Sequence, residues 1–151
     1  WRVLRGMGVR EAGLEDAAQD VFMVVLRRLA EFDGRANVKT WLFEIALRVA
    51  SNHRRSARRK GEHAALDEQM PTAGPSPAEA AESRRALGRV LDVLDALDEE
   101  LRVVLVLCDL EQMTALEASE LTGTNPNTVS SRLRRARAAF QSELERRGGR
   151  P

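Results

Sequence analysis

Several kinds of residue are scarce in this chain of 151 residues, and each scarcity excludes a class of protein. A single cysteine, Cys108, excludes a disulfide framework and a cysteine-based zinc site within one chain. This cysteine usage favours a reducing, cytoplasmic environment. Aromatic residues make up 4% of the chain and tyrosine is absent, so the core must consist mainly of leucine, valine and alanine. Such a composition favours helices over a sheet.

Long apolar runs and catalytic motifs are missing as well. No segment approaches the roughly 20 apolar residues that a membrane helix requires, and none resembles a signal peptide. We therefore expect no membrane insertion. A nucleophile–base pair, a phosphate-binding glycine loop and a metal cluster are also absent from the sequence, which predicts no enzyme, no cofactor, no metal and no small-molecule substrate. Since the chain begins at Trp1 rather than at Met, we expect a preceding segment to be missing.

Charge is what the chain has in abundance, and it is unevenly distributed. Charged residues make up 31% of the sequence and the net charge is only +1. Residues 1–60 and 129–151 nevertheless carry +6 and +5, whereas residues 61–83 and 84–128 carry −5 each. Two basic segments separated by acidic ones indicate a polyanionic partner that is contacted at two places.

The pattern of apolar residues divides the chain into two helical parts. Residues 61–83 contain three prolines and few large apolar side chains, which is typical of a flexible linker. Before this segment, helical spacing predicts a first buried stripe and then a second one. The first consists of Ala18, Val21, Val25 and Leu29, with Phe22 and Leu26 beside it, and the second of Trp41, Ile45 and Val49. We therefore predict an all-α fold with small helical domains at 1–60 and 84–151.

A helix-turn-helix motif is predicted near the end of the chain. The helix in "TALEASELTG" is followed by a glycine-containing turn and then by "NPNTVSSRLRRARAAFQSEL", with Asn125 as its N-cap. Helical spacing puts the buried stripe at Val129, Leu133, Ala136, Phe140 and Leu144. The opposite face consists of Asn127, Thr128, Ser131, Arg134 and Arg135. Short polar side chains followed by arginines suit a helix that reads the major groove, although a merely solvated basic face is the alternative.

A second basic surface is predicted at the end of the N-terminal part. Asparagine and arginine at helical spacing, from Arg48 to Lys60, can contact bases and phosphates, but such a run is also common at a solvated helix end. The preceding loop, "FDGRANVK", offers polar groups that suit an unstacked base, and we predict that Trp41 packs in the core. The two histidines, His53 and His63, are predicted to be surface residues without a role in metal binding.

Three segments in combination resemble a known family. "LEDAAQDVF", "FDGRANVKTWLFEIA" and "LTGTNPNTVSSRLRRAR" are similar to the bacterial extracytoplasmic-function sigma factors, in the family's order and with its linker. The resemblance implies a sigma region 2 at 1–60 and a helix-turn-helix sigma region 4 at 84–151. It also implies an alternative sigma factor that binds core RNA polymerase, through its β′ and β subunits, and recognises the −35 and −10 elements of promoter DNA. An anti-sigma factor is an expected further partner.

The resemblance assigns roles to three sets of residues. The residues that it implies for polymerase binding are Asp16, Gln19, Asp20 and Phe22. Those implied to contact the −10 element are Arg35, Asn37, Lys39, Arg48, Asn52, Arg55, Arg58 and Arg59. Those implied to contact the −35 element are Asn127, Thr128, Ser130, Ser131, Arg132, Arg134 and Arg135.

The residues alone leave two alternative functions open. A sigma-like decoy would bind an anti-sigma factor without touching DNA, but it has no need of the basic face on the last helix. A stand-alone helix-turn-helix regulator would bind DNA without polymerase, but it has no need of the acidic surface around Asp16 and Asp20.

Overall fold

The computed structural model describes residues 1–34, 37–60 and 77–148, and this part of the chain is helical. The all-α fold predicted from the sequence is confirmed. The α-helices are α1 (Arg2–Gly6), α2 (Glu11–Arg28), α3 (Val38–Lys60), α4 (Pro77–Ala96), α5 (Glu99–Leu105), α6 (Ala115–Thr122) and α7 (Pro126–Arg146). A 3₁₀ turn, Leu29–Glu31, follows α2, and a π-helical turn, Val106–Leu110, follows α5. Within these residues no helix has the length and apolarity to cross a membrane.

The N-terminal core forms between α1, α2 and α3. Leu14 and Ala17 of α2 and Ile45 and Val49 of α3 are buried, and Trp41 packs against this cluster as predicted. The predicted first stripe is only partly right. Val21 and Val25 are half-buried against the core, but Leu29 is 56% exposed. Leu29 begins the 3₁₀ turn, whose tighter winding takes it off the helical stripe.

The C-terminal core forms around α5, which packs against α7. Its centre consists of Leu101, Val104, Leu105 and Leu107, together with Val129 of α7. The sequence predicts one continuous helix over "EELRVVLVLCDL", whereas the α-helix ends at Leu105 and the chain continues in the π-helical turn. The apolar spacing of this segment is that of a helix in either case, so the sequence gives no signal for the wider turn.

Helix α4 begins inside the segment that was predicted to be a linker. It starts at Pro77, a favourable first position for proline because the missing N–H has no partner there. Residues 77–83 are therefore helical and continuous with the rest of α4. The remaining residues of that segment, 61–76, lie outside the described part of the chain, so the division into domains at 60 and 84 stays a prediction.

Candidate nucleic-acid and protein interfaces

Local hydrogen bonds fix the frame of the helix-turn-helix. Thr114 caps α6 by accepting from the backbone N–H of Glu117 at 3.2 Å, and the Glu117 carboxylate accepts from the Thr114 backbone N–H at 2.8 Å. Gly123 ends α6 in the left-handed conformation, with φ of 63°. Asn125 then caps α7 by accepting from the Asn127 backbone N–H at 2.9 Å, as predicted. These caps define where each helix begins and therefore which residues form the tip of α7.

Helix α7 separates into the two faces that the sequence predicts. Val129 and Ala136 are fully buried, and Leu133 and Phe140 are half-buried against the same core. Five of the residues assigned to DNA contact are exposed together on the other side: Asn127, Thr128, Ser130, Arg134 and Arg135. The two remaining residues of that set, Ser131 and Arg132, are half-buried. Ser131 donates to the Thr128 backbone oxygen at 2.9 Å, so its hydroxyl is already bonded to the helix.

Two arginines of α7 are paired with carboxylates of the preceding segment. The Nη2 atom of Arg132 lies 2.6 Å from the Oε2 atom of Glu100 in α5. Arg137 donates to both oxygens of Asp109, at 2.7 and 3.0 Å, and these hydrogen bonds raise the pKa of Arg137. Sequence reasoning missed both pairs because their partners lie 28 or more residues away in the chain. Arg134 and Arg135 are thus the exposed arginines of α7 nearest its tip that have no ion pair within the described residues.

The basic face of α3 lies along one side of the N-terminal part. Arg48, Asn52, Arg55, Arg58 and Arg59 are exposed, as binding to a polyanion requires. Asn52, Arg55, Arg58 and Arg59 line one open cleft. Arg55 donates to the Asn52 side-chain oxygen at 2.8 Å, which orders two of the predicted base contacts relative to each other. The Nη2 atom of Arg48 lies 2.8 Å from the Oε1 atom of Glu44 in the same helix.

The loop before α3 has a structural role that was not predicted for it, because base contact was assigned to its residues instead. Asn37 caps α3, since its side-chain oxygen accepts from the Lys39 backbone N–H at 2.9 Å. Lys39 donates to the Glu111 backbone oxygen at 3.4 Å and lies 5.7 Å from the centre of the Phe43 ring. Trp41 stacks at a tilt on Phe32, with ring centres 5.1 Å apart. Arg35, the remaining residue assigned to this loop, lies outside the described residues.

Helix α2 presents all four residues assigned to polymerase binding on its surface. Asp16, Gln19 and Asp20 are exposed, and Phe22 is 68% exposed. Met23 and Leu26 are exposed next to them, which adds apolar area to an otherwise acidic surface. A large apolar side chain that remains in water is often part of a protein interface.

His53 has a partner that no local pattern in the sequence indicates. Its Nε2 lies 2.7 Å from a carboxylate oxygen of Asp20. The pair joins α3 to α2, and packing of the two helices creates it rather than local spacing. The other histidine, His63, lies outside the described residues. No cluster of three or more metal-binding side chains forms in the part of the chain that the structure describes.

Comparison with protein families gives two matches, one in the N-terminal half of the chain and one in the C-terminal half. Residues 1–60 match the family model for Sigma-70 region 2, and residues 87–140 match the family model for Sigma-70, region 4. The second match contains α6, the turn after it and α7 as far as Phe140.

Curated relatives match over nearly the whole chain. It is 30% identical over 145 residues to the RNA polymerase sigma factor NccH of Alcaligenes xylosoxydans xylosoxydans, a match that covers 93% of this chain and 78% of the relative. It is 25% identical over 146 residues to the ECF RNA polymerase sigma-E factor of Escherichia coli K12, with coverages of 91% and 76%.

Two solved structures share the arrangement of helices. CnrH in complex with the cytosolic domain of CnrY is similar with a TM-score of 0.72 and 26% identity, covering 95% of this chain and 79% of the other. RpoE of Bartonella quintana in complex with the anti-sigma factor NepR is similar in fold, with a TM-score of 0.70 and 22% identity, covering 95% and 89%.

Proposed function

The chain belongs to the family of RNA polymerase sigma factors, in its extracytoplasmic-function group, and we propose that it directs core polymerase to promoters through two separate DNA contacts. In this proposal the chain supplies binding and positioning and no catalysis of its own, and it works in the cytoplasm, where it meets polymerase and DNA. The single observation that carries the proposal is the exposed face of α7, from Asn127 to Arg135, in the segment that matches region 4.

The first proposed contact is between α7 and the −35 element. Asn127 and Thr128 are exposed at the helix tip, where short side chains allow close approach to base edges. Arg134 and Arg135 are exposed further along and have the length to reach guanines or phosphates. Ser130 completes this face. Ser131 and Arg132 support it from the side, because one bonds to the Thr128 backbone and the other is held by Glu100.

The second proposed contact is between α3 and the −10 element. Arg48, Asn52 and Arg55 would face the bases, and Arg58 and Arg59 would neutralise phosphates. The loop with Arg35, Asn37 and Lys39 would hold a base out of the stack. Asn37 contributes to this by fixing the first turn of α3, as its cap bond indicates.

Docking on polymerase is proposed for α2. Asp16, Gln19 and Asp20 offer acidic and polar groups to a basic surface of the β′ subunit, and Phe22 offers an apolar anchor. His53 orients the Asp20 carboxylate through their 2.7 Å contact. Because both solved relatives were captured with a second protein, and one of these is named as an anti-sigma factor, we propose an anti-sigma partner for this chain as well.

Selection of promoter fragments tests the proposal. Core polymerase with and without this chain is incubated with a random library of duplex fragments, and the retained fragments are sequenced. We expect enrichment of two short motifs at a constant spacing only when the chain is present, because the two DNA contacts are borne by one molecule. A library without enrichment would contradict the proposed function.

A further inference from the structure

The two arginines of α7 that pair with the preceding segment lie on opposite sides of its exposed face. At about 100° of rotation per residue, Arg137 lies about 60° from Arg134 around the helix axis. On the other side, Arg132 lies about 60° from Arg135 by the same winding. A helix seated in the major groove has one DNA backbone on each side of it. The two sides, here called the Arg137 flank and the Arg132 flank, are therefore the parts of α7 nearest to phosphates.

The ion pairs on the two flanks are inverted. On the Arg137 flank the arginine side chain is 60% exposed, and the Asp109 side chain that it pairs with is 35% exposed. On the Arg132 flank the arginine side chain is 25% exposed, whereas the Glu100 side chain is 70% exposed. The first pair therefore presents a positive group outermost, and the second pair presents a negative one.

The fold holds Arg137 in its outward position. Asp109 lies in the π-helical turn after α5, and turns of this kind are frequent at functional sites. The Gln112 side chain donates to the backbone oxygen of Asp109 at 2.7 Å. Arg137 uses its Nε and Nη2 for the two Asp109 oxygens, so the N–H groups of Nη1 lie outside this pair. A guanidinium fixed in this way can donate its other N–H groups to a phosphate.

The Arg132 flank is unfavourable for a phosphate. Glu100 pairs with Arg132 at 2.6 Å and so neutralises its charge. Glu100 belongs to the acidic first turn of α5, which also contains Glu99 and follows the exposed Asp98. Two negative unit charges about 4 Å apart in water repel each other by the equivalent of about a fivefold loss of affinity. A DNA backbone that approaches this flank therefore meets either a neutral pair or, if the pair breaks, an exposed carboxylate.

We propose that Glu100 is a specificity-determining residue of −35 recognition, and that Arg137, positioned by Asp109, is a further phosphate contact on the opposite flank. Registers that bring the Arg137 flank against a backbone are favoured, and registers that bring Glu100 against a phosphate are disfavoured. Phosphate contacts fix the orientation of a protein on the duplex, and unfavourable charge contacts suppress wrong complexes. The inference rests on the proposed function, because it assumes that α7 binds the −35 element.

The first experiment measures sequence discrimination by core polymerase in complex with this chain. Fluorescence anisotropy gives the affinity for two labelled duplexes of equal composition, one with only the selected −35 motif and one with this motif scrambled. Glu100→Gln removes the outward carboxylate, and Glu145→Gln removes the same charge at an exposed position near the end of α7. We expect Glu100→Gln to raise the affinity for the scrambled duplex about fivefold, with a smaller rise for the motif duplex. Glu145→Gln should leave the ratio of the two affinities unchanged; an equal ratio in both variants overturns the proposal.

Salt dependence on the same duplexes adds a readout that a purely structural role of Glu100 does not change. Between about 50 and 200 mM salt, each additional phosphate contact makes the affinity fall about 3.5-fold further. We expect this steeper fall for Glu100→Gln on the scrambled duplex, because Arg132 is then free to bind a phosphate. An unchanged salt dependence would show that Glu100 does not withhold Arg132 from DNA, which overturns the proposal.

A second pair of variants tests the opposite flank. Arg137→Gln removes the proposed phosphate contact, and Arg146→Gln removes an exposed arginine that pairs with Glu143 beyond the recognition face. On the motif duplex, the fall in affinity over the same salt range should become about 3.5-fold smaller for Arg137→Gln only. Circular dichroism checks that both variants are folded. Equal salt dependence of the two variants overturns the contact assigned to Arg137.

The outcomes separate this inference from the proposed function. A complex that prefers the motif duplex, with the same preference in Glu100→Gln and in Glu145→Gln, overturns the role of Glu100 and leaves the proposed function intact. A complex that binds both duplexes equally, and whose affinity Arg135→Ala does not change, contradicts the proposed −35 contact and this inference with it.

Discussion

The guanidinium of Arg102 in α5 donates to the backbone oxygen of Met7, at 3.4 Å, across 95 positions of the chain. Arg102 is fully buried, and it also donates to the backbone oxygens of Leu94, Asp95 and Leu97, at 2.6, 3.0 and 2.7 Å. Burial, with the nearby charge of Arg54 as a second cause, lowers the pKa of Arg102 to about 10. One side chain thus ties the turn between α4 and α5 to the segment after α1.

Arg102→Met is expected to lower the free energy of unfolding by about 3–5 kcal/mol, because it leaves buried carbonyl oxygens without donors. Urea denaturation followed by circular dichroism measures this change. Arg89→Met, at an exposed position of α4, is the matched control and should change stability by at most about 0.5 kcal/mol. Equal stability of the two variants would show that the Arg102 bonds contribute little.

Arg135→Ala is expected to weaken binding of the holoenzyme to −35 duplex DNA by about 1–3 kcal/mol, because it removes the proposed base contact of this side chain. Electrophoretic mobility shift with core polymerase and a selected promoter measures the affinity. Arg146→Ala, on the same helix but beyond the recognition face, serves as the control. Similar affinities for both variants would contradict the assignment of Arg135, while co-purification with polymerase should remain normal in each.

Asp20→Arg is expected to abolish or strongly weaken association with core polymerase, since it places a positive charge on a surface proposed to face basic residues. Co-purification of core polymerase with the tagged chain measures this. Glu145→Arg changes the charge equally at the far end of α7 and should leave the association intact. Unfolding is checked by circular dichroism, so that a loss of association in folded Asp20→Arg is specific to α2.

The last turn of α7 is expected to depend on pH. Glu143 accepts hydrogen bonds from Arg146 and Arg147, and these bonds lower its pKa from 4.5 to about 2. A carboxyl group whose pKa is lower in the folded state adds stability above pH 4.5 and loses this contribution as the pH falls toward 2. NMR titration of the Glu143 carboxyl carbon should give a midpoint near 2, and a midpoint near 4.5 would contradict the pairing.

Sequence periodicity predicted the elements that carry the function but not their relations in space. The stripe of Val129, Leu133, Ala136 and Phe140 follows from helical spacing, because one face of a surface helix must enter the core. Asn125 as a cap follows from local chemistry in the same way. Both signals lie within a few residues of the feature that they predict.

The remaining features arise from packing between distant segments. The pairs Asp20–His53, Glu100–Arg132 and Arg2–Glu111 join residues that no local pattern relates. Leu29 was misplaced because the change from α-helix to 3₁₀ turn depends on the chain that follows it. A local signal for the cap at Asn37 was present in the sequence, since asparagine before a helical run is a preferred N-cap, but base contact was assigned to it instead.

The most direct test of the central claim is run-off transcription from selected promoters by purified core polymerase, with and without this chain. A sigma factor that acts through both DNA contacts predicts transcripts only when the chain is present. It also predicts that the transcripts are reduced by Arg135→Ala and by Asp20→Arg but not by Arg146→Ala or Glu145→Arg. Transcripts that do not depend on the chain, or that all four variants support equally, would contradict the account.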